Sequence, residues 1–302
     1  MRSKRFLFTQ DSRFELGPRM DTNCGQCMPC RLNHAAENAL RCEHEAQLHA
    51  ENQFLTLTVD DDHYPSSEAE WLDSFNRGLD RIRKSVVADC IARGLPPVRI
   101  RTFGCRELGE RTRRPHGHLL TFGYAWPKDR PIAKGHAGEI CYQSHALDAA
   151  WQLGHASVGD FTPKSAGYVA RYALKKHKGT RDGSLGLVEL VHPGTGELVL
   201  LPESMPWARS RRPGIGAGWY ERFGAQQVEQ GAVIMHGGVR RPVPAYYSRL
   251  AKRVDPLLGA EARAAAELHA FQTRDNRTPE RLAVRGEVFA AKTAGLKHRG
   301  GV

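Results

Sequence analysis

The stretch VRIRTFGCRELGERTRRPHGHLLTFGY, Val98 to Tyr124, holds two apolar runs separated by a polar segment. VRIRTFGCREL and HGHLLTFGY are each of strand length, and GERTRRP between them has the residues of a turn, which predicts a pair of adjacent strands. Toward the N-terminus, FLTLTV (Phe54 to Val59) predicts another strand, followed by a polar loop from Asp60 to Pro65. Between these strands Ser67 and Glu70 have the spacing of a capping box, and Leu72, Phe75, Leu79, Ile82 and Val86 recur at helical steps. Gly94 and Pro96-Pro97 end that helix. Toward the C-terminus a short helix is expected over Ser144 to Gln152, then the strand HASVGDF, then a helix over SAGYVARYALKKHK opened by Ser165. The order β-α-β-β-α-β-α over 54–176 predicts an α+β fold. Its antiparallel sheet would carry helices on one face and leave the other free for a site.

Around this core the chain divides by composition. Residues 1–53 read as a basic arm, a cysteine cluster and a helix from Pro29 to about Gln53. The core covers 54–180. Residues 181–256 hold a hairpin, LGLVELVHPGTGELVLL, and then an Arg-, Gly- and aromatic-rich region, while 257–302 reads as a basic helical tail. With 44 Lys and Arg against 33 Asp and Glu the net charge is +11, which favours an anionic partner, nucleic acid first. No run of about 18 apolar residues is present, so no membrane-spanning helix is expected. The N-terminus lacks the apolar core of a secretory signal, and crowded cysteines argue against a disulfide framework, so a cytoplasmic setting is expected.

Chemistry is concentrated in two places. In a strand, residues i and i+2 share a face, so His116 and His118 should project side by side and could share one divalent ion. The turn folds the preceding strand back alongside them, which makes Glu107 the expected carboxylate and Glu110 its substitute. On a helix, Tyr168, Arg171, Tyr172 and Lys175 fall on one stripe, with Ala166, Val169, Ala170 and Ala173 on the side expected to pack on the sheet. A phenol with a pKa near 10 is a weak nucleophile unless cations stand beside it and the phosphate it attacks is polarised.

A histidine strand followed some fifty residues later by a two-tyrosine helix, in a basic chain, resembles the HUH endonucleases. FLTLT, PHGH and YVARYALK match their three motifs in order. Within that superfamily the chain is most similar to the replication initiators of small single-stranded DNA phages of gokushovirus type, which CGQCMPCR and SRRPGIGAGWY also resemble. The resemblance implies a ferredoxin-like sheet with the tyrosine helix facing the histidines. It implies Mg²⁺ or Mn²⁺ held by His116, His118 and Glu107, alternating nucleophiles Tyr168 and Tyr172, and Lys175 neutralising phosphate. The implied reaction nicks one strand at an origin, keeps the 5′-phosphate on tyrosine and later rejoins the strand in rolling-circle replication. Gly117 stands where the family has a bulkier residue, and Arg171 where a Lys is common.

Cys24, Cys27 and Cys30 could grip a structural Zn²⁺ from a tight turn, with His34 or Cys42 as fourth ligand. Arg171, Arg209, Arg211, Arg212 and Trp219 mix cations with an aromatic ring, as DNA-tracking surfaces do. No GxxxxGK[ST] motif occurs, so unwinding would fall to a host helicase and synthesis to a host polymerase, acting on single-stranded or supercoiled origin DNA. The competing readings are a plasmid initiator, relaxase or transposase with the same chemistry, and a zinc-stabilised DNA-binding protein without activity. Tyr172 is the expected stronger nucleophile, because Lys175 follows it within one turn.

Overall fold

The computed structural model describes residues 4–5, 21–22, 28–109, 111–134, 140–172, 187–235 and 238–257, and in the tail 260, 264, 268, 271–272 and 274–297. In chain order the elements are α1 (Met28–Ala46), β1 (Asn52–Val59), α2 (Glu68–Ala92), β2 (Arg101–Leu108) and β3 (Pro115–Phe122). There follow β4 (Arg130–Lys134), β5 (Ile140–Gln143), α3 (His145–Trp151), β6 (Gly154–Asp160) and α4 (Pro163–Tyr172). A hairpin of β7 (Leu187–Val191) and β8 (Leu198–Pro202) precedes β9 (Ser204–Trp207), α5 (Ala245–Val254) and α6 (Pro279–Lys297).

A seven-stranded sheet runs β9-β2-β3-β1-β6-β5-β4, and every neighbouring pair is antiparallel. Within it β1-α2-β2-β3-α3-β6 is a βαββαβ unit with the sheet order β2-β3-β1-β6, consistent with the ferredoxin-like core that the resemblance implies. The edges are extended by strands that the sequence pattern does not announce. RPIAK and SMPW each carry a proline, which a central strand would not tolerate but an outer strand can.

Strand alternation sorts the core into two layers. Leu55, Leu57 and Val59 of β1, Leu119 of β3 and Val158 of β6 meet Trp71, Phe75, Leu79, Ile82 and Val86 of α2 and Leu147 and Trp151 of α3. The buried stripe of α2 begins at Trp71, which is fully buried, and not at Leu72, which is 41% exposed. The capping expectation holds: Ser67 accepts a hydrogen bond from the Glu70 N–H, and the Glu70 carboxylate reaches back to the Ser66 N–H at 2.8 Å.

Helices do not keep to one face. Phe103, Cys105, Leu120 and Phe122 make the opposite face apolar as well, and α1 and α4 cover it with Ala35, Ala39, Cys42, Ala166, Val169 and Ala170. Leaving that face open would expose several large side chains to water, each worth about 2 kcal/mol of burial. The alanine side of α4 belongs to this small-residue contact with α1, while the tyrosine side meets the sheet, the reverse of the packing expected. α1 also stops at Ala46, short of Gln53, because the Asn52 side-chain amide donates to the carbonyls of Ala46 and His49 and the chain turns into β1. Thr162, not Ser165, opens α4: the Ser165 N–H donates to Thr162 Oγ1 at 3.0 Å and the Thr162 N–H to Ser165 Oγ at 2.8 Å.

Gly117 finds its reason on the α2 face. A Cβ there would lie 2.9 Å from Phe75 Cε1 and 3.1 Å from Trp207 Cζ3. The two aromatic rings fill the space that a bulkier residue takes in relatives. Gly117→Ala is therefore expected to lower stability by about 1–3 kcal/mol through overpacking, and Phe75→Leu in the same chain to recover part of it. Urea melts of the two variants check this; a Gly117→Ala protein as stable as the parent would contradict it.

The outer side of α1 carries a third cluster of Leu40, Trp219, Tyr220, Val228, Val233, Tyr247 and Ala251. His44 stacks on Trp219 at 3.6 Å between ring centroids, and its Nδ1 is 2.8 Å from the Tyr247 hydroxyl. Burial pushes the His44 imidazole down to about 4. Because the folded-state value is lowered, this site's contribution is intact above about pH 6.5 and is lost as pH falls toward 4. The loss reaches about 3 kcal/mol, at 1.36 kcal/mol per unit. Thermal melts should show an acid-induced drop in Tm that His44→Phe reduces; equal pH profiles for the two proteins would refute it.

Candidate metal and tyrosine centre

Register delivers the first three groups. β2 and β3 pair with Glu107 opposite His116 and Cys105 opposite His118, so Glu107, His116 and His118 project from one sheet face. His118 Nε2 lies 2.9 Å and His116 Nε2 3.1 Å from Glu107 Oε1, and the two imidazole nitrogens are 3.1 Å apart. Among the described residues this is the one His, Cys, Asp and Glu group whose ligand atoms all lie close enough to hold an ion. Glu107 and His118 are buried at 3% and 1% exposure.

Each imidazole is turned by a second contact. Thr56 Oγ1 sits 3.2 Å from His118 Nδ1, and the Arg114 carbonyl sits 3.0 Å from His116 Nδ1. These partners occupy Nδ1 and leave Nε2 of both rings aimed at the carboxylate, the usual arrangement around a histidine-bound metal. Burial works to raise the Glu107 pKa, but hydrogen bonds from His116 and His118 outweigh it and hold it at about 2. Glu107 Oε2 is buried without a hydrogen-bond partner. Two imidazole nitrogens, an ionised carboxylate and an orphaned oxygen converging on one point fit a divalent cation, with coordination positions left for outside oxygens.

The tyrosines arrive from α4. The Tyr168 hydroxyl is 3.2 Å from His118 Nε2 and 3.3 Å from Glu107 Oε1. The Tyr168 ring stands edge-on to Phe54 and His118, and Tyr172 packs 4.6 Å from it between centroids. Tyr172 is farther from the donor set, 6.3 Å from the His118 ring. The structure thus brings Tyr168, and not the expected Tyr172, into direct contact with it. Burial first, and then the Glu107 charge, push the Tyr168 phenol well above its ordinary value.

Other expected residues are placed elsewhere. Arg171 is half-buried on α4, Arg211 and Arg212 are exposed, and Arg209 is half-buried over the Phe103 ring at 4.8 Å. Trp219 is committed to the His44 stack and to a hydrogen bond with Gln47 Oε1 at 2.8 Å, so its ring is not presented to a ligand. Cys30 and His34 lie one turn apart on α1, buried and exposed respectively. Cys42 is buried in the α1–α4 contact, twelve residues or roughly 18 Å along the helix from Cys30, too far to share an ion with it. Glu110, Lys175, Cys24 and Cys27 lie outside the described residues. Sequence reading missed Thr56, which stands in FLTLT on the face that register shares with His118.

Comparison with known proteins then decides the family. A family model described as replication-associated protein ORF2 matches residues 52–177, the span that carries the whole centre. The replication-associated protein VP4 of Bdellovibrio phage phiMH2K is 34% identical over 239 residues, covering 77% of this chain and 68% of that protein. The chain belongs to the replication-associated proteins of small phages. The replication-associated protein ORF2 of Spiroplasma virus 4 is 25% identical over 234 residues, covering 76% of this chain and 67% of that protein. The Chlamydia phage 1 family member, replication-associated protein ORF4, is 28% identical over 158 residues, 51% of this chain and 38% of its own length. No solved structure matches the chain. Among the described residues of this family member no helix is long and apolar enough to cross a membrane.

Proposed function

We propose that this replication-associated protein is an HUH-type endonuclease that initiates rolling-circle replication by nicking one strand at the phage origin in the host cytoplasm. The observation that carries this reading is the Tyr168 hydroxyl within 3.3 Å of both Glu107 and His118, two members of a three-ligand set. Neither a structural tyrosine nor a plain DNA-binding protein calls for a phenol placed against converging imidazoles and a carboxylate.

Glu107, His116 and His118 hold Mg²⁺ or Mn²⁺, which when bound supplies positive charge to the scissile phosphate. Tyr168 Oη attacks the phosphorus and gives up its proton to solvent. The P–O3′ bond breaks, the departing oxygen takes up a proton, and the products are a 5′-phosphotyrosine and a free 3′-hydroxyl. The bond energy stays in the phosphotyrosine, so attack by a 3′-hydroxyl rejoins the strand without ATP. Tyr172, one turn along the same helix, serves as the second nucleophile while Tyr168 is esterified. Lys175 and Arg171 neutralise phosphate charge, and Arg209, Arg211 and Arg212 contact DNA. Host helicase and polymerase act on the strands that the nick opens.

The test is incubation with single-stranded origin DNA and Mn²⁺ or Mg²⁺. Site-specific nicking with protein attached to the 5′ end is expected, and intact DNA at every metal tested would overturn the reading. A separate structural Zn²⁺ on Cys24, Cys27, Cys30 and His34 is also proposed. Elemental analysis should find zinc in the parent and less in Cys27→Ser; none in the parent would remove it.

A further inference from the structure

The sheet face that carries the histidines also gathers arginines. Arg209 covers Phe103, which shares its face of β2 with Glu107 four residues away, roughly 13 Å along the strand. Arg41 of α1 stacks over the Tyr246 ring of α5 at 3.9 Å, and Arg249 approaches the same ring at 6.0 Å. Arg249 and Arg41 are close enough to work against each other's charge, as are Arg41 and Arg209, and Arg209 and Arg211.

The loop that begins at Arg211 ties these groups together. Arg41 Nε donates to the Ile215 carbonyl at 3.0 Å, and Tyr246 packs so closely over Gly214 that a Cβ there would collide with its hydroxyl. Among the described residues no carboxylate lies within ion-pair distance of Arg41, Arg211, Arg212 or Arg249. Glu45, the buried acid beneath this loop, is committed to Arg101, His49 and the Gly216 N–H. Burial holds the Arg41 guanidinium below its ordinary value. Like charges packed together in this way lower the stability of the free protein, and an anion laid across them removes the penalty.

We infer that Arg41, Arg209, Arg211 and Arg249, gathered around Tyr246, form a track that binds the phosphates of the single strand flanking the cleavage site. The inference rests on the proposed nicking function for the presence of that strand. Tyr246 is engaged by two guanidiniums, so its ring positions cations and does not stack on bases, and the track reads charge and not sequence. Each phosphate neutralised releases condensed counterions, which makes the number of contacts measurable from salt dependence.

The experiment is a fluorescence-anisotropy titration of a labelled origin oligonucleotide in EDTA, comparing the parent with the Arg211→Gln/Arg249→Gln double variant. Arg83→Gln/Arg93→Gln on α2 is the charge-matched control. The track variant should bind about tenfold more weakly near 0.1 M NaCl and lose about 1.4 from the slope of log K against log salt, at about 0.7 per contact. Arg211→Lys/Arg249→Lys should restore the slope. A slope unchanged in the track variant, or reduced equally in the control, would overturn the inference. A loss confined to a duplex of the same sequence would overturn the single-strand assignment. Nicking with Mn²⁺ is scored separately. Salt-sensitive binding without nicking keeps the track and removes the nicking function, whereas nicking with an unchanged slope removes the track alone.

Discussion

His118→Ala is expected to abolish cleavage while leaving most DNA binding intact. His118 is the most buried of the three ligand residues and holds the closest contact with Glu107, 2.9 Å. Its loss removes one ligand and leaves Glu107 with one imidazole to balance an ionised, buried carboxylate. Charge stabilisation of a phosphoryl transition state by a bound cation is worth several kcal/mol. A loss of about 4 kcal/mol corresponds to on the order of 10³ in rate, at 1.36 kcal/mol per tenfold. Affinity rests instead on backbone phosphate contacts and should change little. EDTA should imitate the substitution in the parent protein, and added Mn²⁺ should reverse it. Cleavage rates in excess chelator equal to those in Mn²⁺ would remove the metal from the account.

The second large effect separates the two tyrosines. Tyr168→Phe removes the hydroxyl that touches His118 and Glu107, and the first covalent adduct should fall by on the order of 10³, the scale of losing a principal catalytic group. Tyr172→Phe leaves that hydroxyl in place. It should still make one adduct at close to the parent rate but fail in repeated cycles of cleavage and joining, for which a free second phenol is required. Both rings are buried in the α1–α4 layer, so each Phe replacement keeps the packing and folding should survive. Single-turnover adduct formation and multiple-turnover strand transfer, measured side by side, distinguish the two. Adduct yield equal in both variants, or a Tyr172→Phe protein that cycles normally, contradicts the division of roles.

Much of this was readable from sequence because two periodicities carry it. Alternation in HGHLL placed both histidines on one face, and the short polar turn forced Glu107 opposite His116. The βαββαβ order followed from strand and helix patterns of ordinary length. The second layer of helices was not readable, because the apolar residues of a strand buried on both faces lose the alternation that marks an open face. The same burial made the tyrosine side of α4 look solvent-facing when it lies against the sheet. Thr56 passed as one β-branched residue of a strand, since only register reveals that it stands across from His118. The edge strands were hidden by their prolines, and Trp219 looked like a ligand platform because its partner His44 lies 175 residues earlier in the chain.

The order of the tyrosines is also where sequence and geometry part. Lys175 favours Tyr172 by proximity along the chain, whereas the hydroxyl in contact with the ligand set belongs to Tyr168. Mass spectrometry of the covalent adduct, trapped in a single turnover with origin oligonucleotide and digested to peptides, tests this directly. The account predicts DNA on the peptide bearing Tyr168 at the earliest times, with Tyr172 modified only after a second cleavage. DNA on neither tyrosine, or full nicking by the Tyr168→Phe/Tyr172→Phe protein, would contradict it.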